Sequence, residues 1–283
     1  MKNILVPTDF SETAKNALKF AIKIAHPLKN KIILFHTERP LFIANEMGIY
    51  AYPENDEESG KLILNAKMDE LLSIINAHDL EGEKIIQSGL LVDNIVELTE
   101  TRPIDLIVTG THGAKGLEAF IFGTNSDSIF KKVKCPVLIV PGEAKYHGIK
   151  KIMYATDFEF GDIHELEKIS KLAKIFNAQI VVTHVNSNAD EFEKEQETMD
   201  WFAEIGDSTM DYKNIVYKLI YNKNVTEALE NAIIDLNIDI LCMSIVERDF
   251  FEKIFSKSKI KEMEFHSTIP LMAMHIGKEN QLN

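Results

Sequence analysis

Three glycines carry the strongest chemical signal in the chain: Gly110, Gly113 and Gly123, the last followed at once by Thr124, Asn125 and Ser126. The first two come directly after a short apolar run, and the third precedes a stretch with helical spacing, Asp127 to Val133. Glycine permits close backbone approach and positive φ. A helix N-terminus presents unpaired N–H groups and a positive dipole end, which suit phosphate. Thr124 and Ser126 either add hydroxyl donors or cap the helix. The pattern predicts a backbone nest for a polyphosphate that needs no Walker lysine.

A second group stands at the end of the first apolar run, Ile4 to Val6, where Pro7, Thr8 and Asp9 follow. Asp9 has two readings, a ligand-facing carboxylate or a cap on the next helix. His36 closes a later apolar run, and a histidine at a strand end is more often a local hydrogen-bonding group than a metal ligand. No catalytic set is recognisable: the chain has no Walker A lysine motif, no GxSxG elbow and no HExxH.

The elements that must position these residues occur twice. KNILVPTDF opens the first half and KKIMYATDF the second; KIILFHT (31–37) matches QIVVTHV (179–185). DLIVTG (105–110) matches DILCMS (239–244), and CPVLIVP (135–141) matches IPLMAMH (269–275). The order is the same in both halves, so the chain reads as two copies of one domain, 1–142 and 149–277, joined by a polar linker. In the second copy the glycine positions fall near Ser244, Glu247 and Ser256, and no glycine survives. That contrast suggests the fold does not need the glycines. Asp157, the counterpart of Asp9, does persist, as does His184, the counterpart of His36.

Short β-branched runs at Ile4–Val6, Ile32–Phe35, Lys84–Gln87, Ile104–Val108 and Val137–Val140 read as buried strands. Between them lie stretches of helical spacing, including 14–25 and 62–75. Strands that are apolar throughout and alternate with helices predict a doubly wound parallel α/β sheet with helices on both faces. Such sheets bind ligands beyond the carboxyl ends of the strands, where strand order reverses. The segment 39–60, aromatic and then acidic, reads as a long loop or short helix over that edge. Trp201 and Phe202, with Phe250 and Phe251, read as core positions.

Composition limits the partners. A net charge of -13 opposes broad contact with nucleic acid or an anionic membrane. An apolar fraction of 45% with 27% charged residues is that of a globular protein. The two cysteines, Cys135 and Cys242, form no CxxC pair and read as small buried or half-buried hydrophobes. No leader or membrane span is evident, so the expected setting is the cytoplasm.

PTDFSETAKNAL, LFHT and the GTHG–x9–GTNS loop together resemble the universal stress protein family. The resemblance covers nearly the whole chain as a tandem pair. The first copy looks like the ATP-binding branch; the second is similar in its strands but has lost the glycine loop. The resemblance implies Rossmann-like domains of the adenine nucleotide alpha hydrolase type, each a five-stranded parallel sheet in the order 3-2-1-4-5. It implies adenine near Pro7, Thr8 and Thr37, ribose on Asp9, and phosphates on Gly110, His112, Gly113, Gly123, Thr124 and Asn125. A divalent ion, Mg2+ or Mn2+, often accompanies the ATP. Some members carry arginine where His112 stands. Family members pair through their fifth strands, which here implies an intramolecular pseudo-dimer of Val137–Val140 with Leu271–Met274; further homodimers are common.

The expected function is an ATP-binding stress-response protein that signals by nucleotide occupancy, with at most slow hydrolysis. Two alternatives stay open. One is a nucleotide-free interaction or ligand-binding module; the other is an adenylyl-transferring enzyme on the same scaffold, for which FSKSKI (255–260) is a weak lookalike of one signature.

Overall fold

The structure, a computed structural model, describes residues 2–38, 42–45, 48–51, 54–111, 124–158, 161–245 and 269–275. It divides into two units, the chain passing from one to the other between Cys135 and Pro136. The division falls one strand ahead of the repeat boundary read from sequence.

The first unit contains β1 (Asn3–Pro7), α1 (Glu12–Ala25), β2 (Lys31–Glu38), β3 (Phe42–Asn45), β4 (Gly48–Ala51) and α2 (Glu54–Asn76). It continues with β5 (Gly82–Ser88), α3 (Leu91–Thr101), β6 (Leu106–Gly110) and α4 (Thr124–Lys132). Its sheet runs β5-β2-β1-β6, and the paired strands are parallel. Ile4, Leu5 and Val6 are wholly buried, as expected for a central parallel strand with both faces covered. Each such side chain contributes about 2 kcal/mol of burial.

Helix α1 forms because its apolar residues fall on one stripe, Ala14, Ala17, Leu18, Ala21, Ile22 and Ala25, all buried. It packs on β6 and β1. Ser11 caps it, its side chain accepting from the Ala14 N–H at 3.2 Å.

Two sequence expectations shift. Within 39–60, read as a long loop or short helix, β3 and β4 pair antiparallel, Phe42 opposite Ala51 through Asn45 opposite Gly48, and α2 begins at Glu54. Two four-residue strands are too short to show a period. The acidic run from Glu54 opens that helix. Strand β6 begins two residues later than Ile104, because Asp105 is used beneath β1. Its Oδ2 accepts from the N–H groups of Lys2 and Asn3 at 2.7 and 2.9 Å.

The second unit contains β7 (Val137–Val140), β8 (Lys151–Ala155), α5 (Asp162–Phe176), β9 (Gln179–Asn186), α6 (Phe192–Thr209) and β10 (Ile215–Tyr221). It ends with α7 (Val225–Leu236), β11 (Ile240–Ile245) and β12 (Leu271–His275). Strands β10-β9-β8-β11-β12 lie in that order and pair in parallel, which is the expected 3-2-1-4-5 arrangement. β7 adds to β12 antiparallel, with Ile139 opposite Leu271 and Val137 opposite Ala273. The repeat extends to single hydrogen bonds. Asp239 Oδ2 accepts from the N–H groups of Lys150 and Lys151 at 2.7 and 2.8 Å, as Asp105 does in the first unit. The two thiols are free, Cys242 buried and Cys135 half-buried. Trp201 departs from expectation: it is exposed, whereas Phe202 beside it is buried. Phe250 and Phe251 lie outside the described residues, as does the segment 255–260.

Candidate functional site

The parallel pairing of β1 with β2 and β6 brings Pro7-Thr8-Asp9, Thr37 and Gly110 to one edge of the first unit's sheet. Pro7 lies opposite Phe35, and the Thr8 N–H donates to the Phe35 carbonyl at 2.8 Å. The chain then turns sharply. Thr8 Oγ1 accepts from the Phe10 N–H at 3.1 Å, and Phe10 has φ 66°. That left-handed conformation is costly for a bulky residue and marks a site where the surroundings fix the backbone. Here they are the His36 ring, 4.8 Å from the Phe10 ring, and its Nδ1, 2.7 Å from the Thr8 carbonyl oxygen.

This turn leaves Asp9 exposed and held at one oxygen, with Oδ1 accepting from the Ser11 N–H at 3.0 Å. The cap on α1 is Ser11, not Asp9; Asp9 organises the turn just before it. An exposed carboxylate is an acceptor for hydroxyl groups. Lys67 lies over the Phe10 ring, its Nζ 5.4 Å from the centroid.

Gly110 ends β6 against the first turn of α1. A β-carbon there would lie 2.7 Å from Thr13 Cγ2 and 2.9 Å from the Thr13 carbonyl oxygen. Thr37, near the end of β2, has a buried Oγ1 with no hydrogen-bond partner among the described residues. Thr124 and Asn125 open α4, in line with the expectation of a helix N-terminus after the third glycine. His112, Gly113 and Gly123 lie outside the described residues.

The second unit repeats the turn. Thr156 Oγ1 accepts from the Phe158 N–H at 2.9 Å, Phe158 has φ 59°, and His184 Nδ1 lies 2.7 Å from the Thr156 carbonyl oxygen. The Phe158 and His184 rings are 4.6 Å apart. So the shared Thr-Asp-Phe and histidine serve the fold of both copies. Sequence reasoning missed the phenylalanine, although its recurrence in both TDF segments was the available signal.

Beyond the turn the two units differ. Tyr154, where the first unit has Val6, is buried, and its hydroxyl donates to Asp162 Oδ1 at 2.7 Å. The same hydroxyl lies 2.6 Å from Ser244 Oγ, at the position matching Gly110. Thr156 Oγ1 donates to Asp162 Oδ2. Burial, with the Asp162 carboxylate beside it, pushes the Tyr154 hydroxyl well above its ordinary pKa. Glu165, also buried, has its pKa raised by desolvation, opposed by Lys168 at 2.7 Å. The second unit therefore fills the ends of β8 and β11 with its own hydroxyls and carboxylates. Among the described residues no group of acids, histidines and cysteines could hold a metal ion. No helix there is long and apolar enough to cross a membrane.

Comparison with known proteins places this arrangement. The universal stress protein family model matches residues 1–141. Universal stress protein MJ0577 of Methanocaldococcus jannaschii is 32% identical over 154 residues, covering 49% of this chain and 94% of that protein. A universal stress protein of Helicobacter pylori is 28% identical, covering 48% of this chain and 98% of its own length. A universal stress protein structure from Archaeoglobus fulgidus superposes with a TM-score of 0.70 at 17% identity, covering 98% of this chain and 97% of that one. That last likeness is one of fold.

Proposed function

The chain belongs to the universal stress protein family, and from that premise we propose that its first unit binds ATP and reports stress through nucleotide occupancy. The observation that carries the reading is Asp9: an exposed carboxylate, fixed through one oxygen by Ser11, at the edge where strand order reverses. The residues present fit an adenine nucleotide. Asp9 would accept from the ribose hydroxyls, and the Thr37 Oγ1, without a partner among the described residues, lies where the base would be sought. The α4 N-terminus, with Thr124, Asn125, Gly110, His112, Gly113 and Gly123, would supply N–H groups to the phosphates. Bound ATP would bring its own Mg2+ or Mn2+ to that end of the site.

Nothing in the described constellation poises a general base or nucleophile, so slow hydrolysis at most is expected. We assign the second copy, 149–277, a partner role without nucleotide, because Tyr154, Asp162 and Ser244 bond to one another where an open site would be needed. Free thiols at Cys135 and Cys242 fit a cytoplasmic setting.

Calorimetric titration of the full chain with ATP and magnesium tests the reading. Saturable binding of one nucleotide per chain, weakened at least tenfold by Asp9→Ala and abolished by Gly123→Val, supports it. No binding to the unsubstituted protein overturns it.

A further inference from the structure

The two copies differ at one corner of their sheets, the amino end of the third-strand edge. In the first unit that corner is charged. Glu83 on β5 meets Arg102 at 2.8 Å and Lys31 at 3.0 Å, and Lys31 also meets Glu81 at 2.8 Å. The strand registers and the matched roles of Asp105 and Asp239 fix the counterparts in the second unit. Lys31 becomes Gln179, Glu81 becomes Asn214, Glu83 becomes Val216 and Arg102 becomes Leu236. Glu100, near the end of α3, becomes Ile234 near the end of α7. The charges are gone, and Val216 and Ile234 are 42% and 71% exposed.

β10 is the outermost strand of its sheet, whereas β12, the strand that corresponds to the family's pairing strand, is already covered by β7. The Asn214 carbonyl accepts from the Ile180 N–H at 2.9 Å, and the Asn222 N–H donates to the Asn186 carbonyl at 3.0 Å. Even-numbered residues of β10 therefore turn their backbone groups inward to β9. Ile215, Tyr217 and Leu219 turn theirs outward, where an edge offers them to another strand. The Tyr217 side chain lies against Gly206 on α6, so the Val216 and Lys218 side chains take the opposite face of the strand. Charged side chains ordinarily guard such an edge, as Glu83 and its ion pairs do on β5.

We propose that β10 is an interface for a second copy of this chain, the two β10 strands pairing antiparallel about a two-fold axis at Val216. That axis sets Ile215 opposite Tyr217 of the second copy, and both carry outward backbone groups. It sets Val216 against Val216. Lys218 falls opposite Asn214 of the second copy, at the start of that strand. In the first unit Arg102, one residue past α3, reaches the start of the edge strand at Glu83, so α7 finishes at the matching place, with Ile234 and Asp235. The contact is apolar at its centre and brings Lys218 of each copy toward Asp235 of the other. A chain of net charge -13 can meet itself only where such complementarity offsets the general repulsion. Because β5 keeps its charges, the assembly closes as a dimer and does not extend into a filament. A seven-residue edge and one helix end make a small interface, so the dissociation constant should be roughly 1–100 µM.

Sedimentation velocity of the full chain without nucleotide, from about 1 to about 300 µM, tests this and should show a monomer passing to a dimer. Val216→Glu with Ile234→Glu, the residue type the first copy carries at both positions, should weaken the dimer at least about tenfold. Neither side chain is buried, so the melting temperature of the monomer should hold. Lys218→Glu alone should weaken the dimer about fivefold, and adding Asp235→Lys should restore it. A chain that sediments as a monomer throughout overturns the inference. So does a dimer left intact by the paired glutamates, or one lost in Lys218→Glu and not recovered with Asp235→Lys. The measurement uses no nucleotide, so each of these outcomes leaves the ATP reading standing.

Discussion

Gly110 and Thr13 are in contact so close that no side chain fits between them: a β-carbon on Gly110 would sit 2.9 Å from the Thr13 carbonyl oxygen. The glycine therefore lets the first turn of α1 lie against the end of β6. Gly110→Ala should push that turn outward and cost about 1–3 kcal/mol, whatever ligand is present. Urea denaturation without nucleotide measures it; an unchanged midpoint would remove the packing role.

The second unit shows why the repeat is an incomplete control at this position. Ser244 carries a side chain where Gly110 has none, and α5 starts after Gly161, whose φ is 116°. Its Oγ lies 2.6 Å from the Tyr154 hydroxyl, in place of the backbone contact. A fold can lose a glycine when the neighbouring helix starts differently, so loss in one copy does not free the other from needing it. Doubly wound topology and the His36 and His184 contacts were legible in sequence, because they follow from strand periodicity and from motifs that occur twice. The β3–β4 hairpin and the left-handed phenylalanines were not. Each depends on a partner distant in sequence or on a run too short to have a period.

The paired histidines make a graded prediction. His36 holds the Thr8 carbonyl from a half-buried position, whereas His184 is 8% exposed and also meets Glu195, Nε2 to Oε2, at 3.1 Å. Leucine at either position orphans a carbonyl and loosens the Thr-Asp-Phe turn. We expect His36→Leu to cost about 1 kcal/mol and His184→Leu about 2 or more, because the latter also strands a carboxylate. Chemical denaturation of the two variants ranks them, and the reverse order would contradict the assignment. His36→Leu should in addition weaken ATP binding, since it unfixes Asp9.

Glu165 gives a pH signature. Its side chain is 2% exposed, one oxygen is bonded to Lys168 and the other, Oε2, has no partner among the described residues. Burial raises its pKa in the folded protein above the ordinary carboxylate value. The folded state then holds the proton more tightly than the unfolded chain. Stability from this group is present in acid and declines as pH rises through the folded pKa. Glu165→Gln should accordingly melt higher than the unsubstituted protein near pH 7, with the gain shrinking as pH falls through the carboxylate range. His164, Asp162, Lys168 and Tyr154 are the charged or titratable neighbours that act on it. Melting curves at several pH values decide the matter, and a gain that grows in acid would reverse the sign.

Two tyrosines in the second unit should respond oppositely to the same change. The Tyr154 hydroxyl is bonded to Asp162 and Ser244, so Tyr154→Phe leaves a buried carboxylate oxygen without its donor. That loss is worth about 2 kcal/mol. The Tyr217 hydroxyl is buried without a partner among the described residues, and burial pushes its pKa up to about 12. It also lies against Gly206 on α6, where an added β-carbon would clash with that oxygen. Tyr217→Phe removes an unsatisfied group, so stability should hold or rise by up to about 1 kcal/mol. Gly206→Ala alone should destabilise, and combined with Tyr217→Phe it should recover most of the loss. A double-mutant cycle by denaturation measures the coupling, which would be absent if the two positions did not touch.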